Sequence, residues 1–306
     1  MPRALAAVAL CLTAPAVAAS PLTLQPVPVV ERVYAVIGDL GGQTYENDGL
    51  NANLGFIVTD AGVLVVNSGP TQQVAKALHR AITQVTIQPI RWVVNLNSQN
   101  HYWHGNAYFA SIGANVIAHE AAAALMQELG QAQLESNHRM LKEKADDTRL
   151  VYPNTTFPDR QEIQLGATRI ELLHLGPAHT RGDAVVWLPR ERVLFAGDLI
   201  YTDRLLAVIP IGDSRGWIEA FDKALALEPL FIVPGHGKLA TASEARRDTR
   251  DYLTYLREEI KNAITRGDDM IDTVDKIDQS RFRHLVNFDL LADRNVTQMY
   301  QDIEKE

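Results

Sequence analysis

Apolar residues in this chain fall into short runs broken by Gly, Pro, Asn and Asp, with longer stretches at helical period between and after them. Gly55-Phe56-Ile57-Val58 and Gly62-Val63-Leu64-Val65-Val66-Asn67, separated by the turn-like Thr59-Asp60-Ala61, predict a β-hairpin. Residues 71–85 follow with helical spacing, and the β-branched run 90–95 stops abruptly at a polar loop containing histidine. A second block opens near Gln161, where 162–165 and 169–174 alternate polar and apolar residues like half-exposed strands. Runs at 184–188, 193–196 and 231–233 continue it, the last leading into Pro234-Gly235-His236-Gly237. Beyond about Thr241 the period becomes helical: Ser243 reads as an N-cap, Tyr252, Leu253, Leu256 and Ile260 recur on one face, and amphipathic segments follow around 271–277 and 280–300. Two strand-rich blocks, each with helices, predict an α/β fold with helices outside a two-sheet sandwich.

The first residues read as an address. Arg3 supplies a positive start, Leu5 to Ala14 an apolar run and Ala16-Val17-Ala18 a small-residue cleavage pattern, so residues 1–19 are expected to be a cleavable signal peptide of a periplasmic or secreted protein. Cys11, the only cysteine, lies inside that run, which removes disulfides, cysteine nucleophiles and cysteine ligands from the mature chain; Leu10 argues against a lipid anchor there. No later run approaches the roughly 20 apolar residues of a membrane span. The expected organisation is one domain over 22–245 with a helical extension over 246–306 packed on it. A net charge of −8 without a basic stripe argues against nucleic acid and leaves a small-molecule substrate as the expected partner.

Three polar residues sit where apolar runs end: His179 in Gly176-Pro177-Ala178-His179-Thr180-Arg181-Gly182-Asp183, Asp198 in Phe195-Ala196-Gly197-Asp198, and His236. Glycine or proline flanks each, letting the backbone turn sharply at strand ends, where sites are usually built. Imidazole and carboxylate are suitable zinc ligands, and three protein ligands leave a position for water.

The order Asn67-Ser68-Gly69, a histidine loop after Val93-Val94-Asn95, His179-Thr180, Gly197-Asp198 and Gly235-His236-Gly237 resembles the metallo-β-lactamase superfamily over residues 30–240. The resemblance implies an αββα sandwich with one or two metals, usually zinc, between the sheets, and hydrolysis as the commonest activity. It extends to exported bacterial hydrolases of this fold, including a divergent subgroup whose loop also reads Asn-Ser-Gln before a His.

The loop departs from the superfamily's Asn-Thr-His-x-His-x-Asp-His, since it reads Asn95-Leu96-Asn97-Ser98-Gln99-Asn100-His101-Tyr102-Trp103-His104-Gly105-Asn106. Without a gap, Asn97 and Gln99 replace the two leading histidines, His101 the aspartate and Tyr102 the last histidine. Shifted by one residue, Asn100-His101 stands for the Asp-His pair, the smaller chemical change and the preferred register. His101 is a candidate ligand in both. In the superfamily the first metal takes two loop histidines and the equivalent of His179, and the second takes the Asp-His pair and the equivalent of His236, with the equivalent of Asp198 bridging. Amides and a hydroxyl are weak zinc ligands. The resemblance therefore implies a single zinc or other divalent ion on His101, Asp198 and His236, with His179 joining or binding substrate.

Asn100 and Asp183 are candidate supporting groups, although Asp183 is equally suited to capping its turn. Asn67 replaces an aspartate that orients the histidine loop in the superfamily. His104 is expected to pack or line the cleft, and Asp203 and Arg204 to lie at the surface. Trp103, Tyr108, Tyr201 and Trp217 read as core, with a cleft wall as the alternative. The expected function is hydrolysis of an ester, amide, lactone or lactam carbonyl by metal-bound hydroxide, one metal sufficing to bring the pKa of water from about 15.7 to about 7. The alternative is a non-catalytic binding protein with a degenerate site.

Overall fold

The computed structural model describes residues 22–306, so the signal-peptide reading of residues 1–19 lies outside the described residues. The chain enters through β1 (Val27–Val30) and β2 (Val33–Val36), then the hairpin β3 (Leu54–Thr59) and β4 (Gly62–Val66). Helix α1 (Gln72–Val85) follows, capped by the Thr71 hydroxyl on the Val74 N–H. It crosses over to β5 (Ile90–Asn95), which pairs parallel to β4. Two short helices, α2 (Asn100–Trp103) and α3 (Asn106–Ser111), lead to β6 (Asn115–His119), the long helix α4 (Glu120–Leu141) and β7 (Thr155–Phe157). These strands form one seven-stranded sheet in the order β1 to β7.

The second sheet contains β8 (Arg160–Leu165), β9 (Thr168–Leu173), β10 (Val185–Leu188), β11 (Val193–Tyr201) and β12 (Phe231–His236), in the order β12-β11-β10-β9-β8. Helix α5 (Ser214–Leu225) crosses over between β11 and β12, which run parallel. The C-terminal part adds α6 (Ala242–Ala245), a π-turn at Arg246–Arg250, α7 (Asp251–Arg266), α8 (Met270–Lys276) and α9 (Phe288–Ile303).

Three apolar layers follow from the alternation of side chains on the strands. Leu64, Val66, Val94, Ile117, Leu172, Val186, Phe195 and Val233 meet between the sheets. Val74, Leu78 and Ile82 of α1 cover the outer face of the first sheet against Phe56, Val65 and Val93. Trp217 and Phe221 of α5, Tyr252 and Leu256 of α7, and Val296 and Met299 of α9 cover the second sheet against Val185, Leu194 and Ile232. Burying each such side chain is worth about 1.5–3 kcal/mol before entropic costs. No helix among the described residues is long and apolar enough to cross a membrane.

Two local expectations are corrected. The helix after Thr241 is capped by Thr241 itself, which forms a reciprocal capping box with Glu244, and Ser243 lies inside the first turn. The 280–300 segment is not one helix: a 3-10 turn spans Ser280–Phe282, and α9 starts only after Asn287, whose φ of 66° interrupts the helical path.

Candidate metal centre

Parallel strands bring their C-terminal ends to one side of a sheet, and ligand sites gather there. Asn95 ends β5 and feeds the loop to α2, while His236 ends β12. Asp198 lies on β11 where its register with β12 slips on both sides of Gly197, a bulge that turns the carboxylate out of the ladder. His101 is the second residue of α2. The side chains of His101, Asp198 and His236 converge with all three ligand atoms within 4.8 Å of one another, and all three residues are buried.

Asp198 is the centre of the arrangement. Its Oδ1 accepts from the Tyr102 hydroxyl at 2.6 Å and lies 3.2 Å from His236 Nε2. Its Oδ2 accepts from the Asn97 amide at 2.8 Å and lies 3.7 Å from His101 Nε2 and 3.8 Å from His179 Nε2. Burial alone would raise its pKa, but coupling to His236, His101 and His179, which acts when those rings carry a proton at Nε2, holds the carboxyl well below its usual range.

The ring tautomers decide what this cluster accommodates. His236 Nδ1 lies 2.6 Å from the Asn51 carbonyl and His179 Nδ1 3.0 Å from the Ala207 carbonyl, so each ring donates through Nδ1 and presents a lone pair at Nε2. Arg204 Nη1 also lies 3.0 Å from His236 Nδ1, but it donates to the Gly41 carbonyl, and the shorter carbonyl contact requires the hydrogen on His236. Burial keeps both rings neutral, with the His236 pKa lowered to about 4 and that of His179 lowered as well. Two imidazole lone pairs therefore face an ionised carboxylate in a buried site. The Nε2 atoms of His179 and His101 have no hydrogen-bond partner. Such a donor set repels itself unless a proton or a metal cation lies among its members, and nitrogen and oxygen donors of this kind suit zinc or a similar divalent ion.

Neighbours fix these ligands. Asn53 donates to the carbonyls of Pro234 and Gly237, each at 2.8 Å, and so ties the His236 turn to the first sheet. Tyr201 stacks on His236 with centroids 4.8 Å apart, and Trp217 packs edge-on against His179. Gly235 has to be glycine, because a Cβ there would lie 2.5 Å from both Asp198 Oδ1 and the Tyr102 hydroxyl. Asn67, at φ 63°, accepts from the Leu96 N–H at 3.0 Å, so the amide retains the acceptor that holds the start of the histidine loop.

Other sequence-singled residues are distributed differently. Asn100 turns away from Asp198: its amide donates to Asn137 of α4, and its Oδ1 accepts from the His101 N–H. With Asn97 and Tyr102 on Asp198 and Asn100 outside, the loop follows the ungapped register, against the preferred shift. Asp183 accepts from the Thr180 N–H at 2.6 Å and hydroxyl at 3.1 Å, holding the turn that carries His179; burial pushes its pKa well above the carboxylate range. His104 is buried against Trp103 and bonds Asn137, outside the metal cluster. Arg204 is not a surface residue but reaches His236 and Gly41, while Asp203 contacts the Lys238 N–H. Trp103 and Trp217 are core. The roles of Asn53 and Asn51 carried no sequence signal, being isolated polar residues in a loop remote in sequence from His236.

The family model of the metallo-beta-lactamase superfamily matches residues 47–236. The chain belongs to the metallo-beta-lactamase superfamily. Among solved structures it is similar to a metallo-beta-lactamase from Pontibacter korlensis, with a TM-score of 0.62 and 19% identity over 76% of this chain and 99% of that one. Among curated relatives it is 24% identical over 178 residues to the 2,4-dinitroanisole O-demethylase subunit alpha of Nocardioides sp. (strain JS1661), spanning 58% of this chain and half of that protein. It is 25% identical over 197 residues to the metallo-beta-lactamase type 2 of Bacteroides fragilis, 59% of this chain and 70% of that protein. A shorter match, 26% over 111 residues, covers 34% of this chain and 38% of a bovine acyl-coenzyme A thioesterase. The superfamily typically binds metal and includes hydrolases of several classes.

Proposed function

We propose that this superfamily member is an exported hydrolase of a small-molecule ester, thioester, amide, lactone or lactam, working with one divalent metal, zinc by donor chemistry, on His101, Asp198 and His236. The observation that carries the reading is the convergence of His101, Asp198 and His236, whose ligand atoms all lie within 4.8 Å of one another, with His236 bonded through Nδ1 so that its Nε2 faces the carboxylate. A metal bound there supplies Lewis-acid activation of water and of a carbonyl oxygen.

The protein's own groups set the conditions for that chemistry. Asp198 stays ionised and offers Oδ2 on the side of His101 and His179. Tyr102 stays protonated, since burial and the Asp198 charge raise its pKa well above normal, and it orients Oδ1. Asn97 donates to Oδ2, the oxygen that His179 Nε2 also faces, so this side of the site is built from an amide where a second metal would need imidazole. His179 is then free to contact substrate. The apolar run 5–14 with Ala16-Val17-Ala18 supports export.

A second reading, a binding protein that retains the fold without turnover, is favoured by one feature: both Asp198 oxygens already accept hydrogen bonds, from Tyr102 and Asn97. A screen of ester, thioester, lactone and lactam substrates, with and without a zinc chelator, separates the two. Chelator-sensitive turnover of one class is expected. Absence of turnover by the zinc-loaded protein across the panel supports the binding reading.

A further inference from the structure

Resting on the reading of His101 as a metal ligand, we propose that one face of α4, formed by Gly130, Gln133 and Asn137, is the positioning element that holds His101 in ligand geometry. The three residues are spaced to share a helix face, and each meets the segment on one or other side of His101. Before it, Gln133 Nε2 donates to the Ser98 carbonyl at 3.0 Å. After it, the Trp103 indole N–H is shared between that carbonyl, at 3.1 Å, and Gln133 Oε1, at 3.0 Å. Gly130 gives the Trp103 ring its place, because a Cβ there would lie 3.0 and 3.2 Å from two ring carbons.

Asn137 is fully buried, and its amide is spent on the segments that flank His101 in space. It accepts from the Asn100 amide, whose own Oδ1 accepts the His101 N–H at 2.9 Å. It donates to the Pro70 carbonyl and to His104 Nδ1, each at 2.9 Å. One side chain thereby joins the Asn67-to-Pro70 turn to both ends of α2. Every partner except the His104 ring is an amide, a backbone carbonyl or an indole, none of which ionises. The support is present before any metal arrives, and it compensates for a loop in which amides stand where ligating histidines would fix the backbone.

The test is Zn2+ affinity of the purified full chain, measured against a competing chelator, together with the visible spectrum of the Co2+-loaded protein. Asn137→Ala and Gln133→Ala are expected to lose about tenfold or more in affinity and to alter the Co2+ spectrum. Gln131→Ala, on the exposed side of the same helix, changes neither. Asn100→Ala tests the link to His101 without touching the buried amide, and decides the matter should circular dichroism show Asn137→Ala unfolded. In the double variant the losses of Asn100→Ala and Asn137→Ala are expected not to add, since both break one path. Wild-type affinity and spectrum in folded Asn137→Ala or in Asn100→Ala overturn the inference alone. A wild-type chain that binds neither ion overturns the metal reading, and the inference with it.

Discussion

On the proposed single-metal reading, single side chains set the number of metals. Asn97 and Gln99 stand where the superfamily pattern has histidines, and Asn97 spends its amide on Asp198 rather than offering a ligand. His179 already points an unpaired Nε2 toward the same carboxylate. The double substitution Asn97→His with Gln99→His should therefore create a second site with His179, raising zinc content from about one to about two per chain by elemental analysis. Content that stays at the wild-type value would show that more than ligand identity was lost on that side. At this scale the sequence was informative wherever a residue type is chemically decisive: His101, Asp198 and His236 converge as the motifs suggested. The loop register was not legible, because Asn100 and Asn97 are equal in composition. Only the Asn137 partner, from a helix more than thirty residues away, tells which one turns out of the site.

At the level of elements, α2 and α4 form a buried polar contact whose weak point is His104. Burial, with like charge from His101 and His138, lowers its pKa to about 3, against 6.5 for the free ring. The folded state thus keeps this imidazole neutral while the unfolded chain protonates it near 6.5. Its contribution to stability is complete above that pH and declines as pH falls through 6.5 toward 3. At pH 5 the cost from this ring alone is about 2 kcal/mol. Denaturant unfolding of the metal-free protein should show a lower midpoint at pH 5 than at pH 8, and His104→Gln should reduce that difference, the remainder coming from the other buried rings, His236, His179 and His119. An unchanged slope would show that the ring titrates freely in the folded protein. Sequence periodicity placed α1, β3, β4 and β5 well, because one face of each meets a continuous apolar layer. It missed the Thr241 cap, where the reciprocal Glu244 bond outweighs the preference of Ser243 for the same position.

For the whole molecule, the C-terminal helices are structurally continuous with the site. Thr249 of the π-turn accepts from the Tyr201 N–H and donates to the Tyr201 carbonyl, and Asp248 accepts from the Asp203 N–H. Val286 exchanges backbone hydrogen bonds with Asp203 and Leu205 on the other side. These contacts hold the segment that carries Tyr201, stacked on His236, and Arg204. The helical pattern of 246–306 was readable from its apolar spacing, but this clamp was not, since backbone contacts leave no residue signature. Ending the chain at residue 245 would expose Trp217, Phe221 and the outer face of the second sheet, and should yield insoluble or unfolded protein by circular dichroism. A soluble, cooperatively folded product would show that the extension is dispensable.

The proposed function rests on a single metal held by His101, Asp198 and His236. Elemental analysis of the purified protein, repeated on His101→Ala, Asp198→Ala and His236→Ala, tests it most directly. About one zinc per wild-type chain is expected, and its loss in each variant with the fold retained. Two tightly bound zincs per wild-type chain, or none after zinc loading, would contradict it.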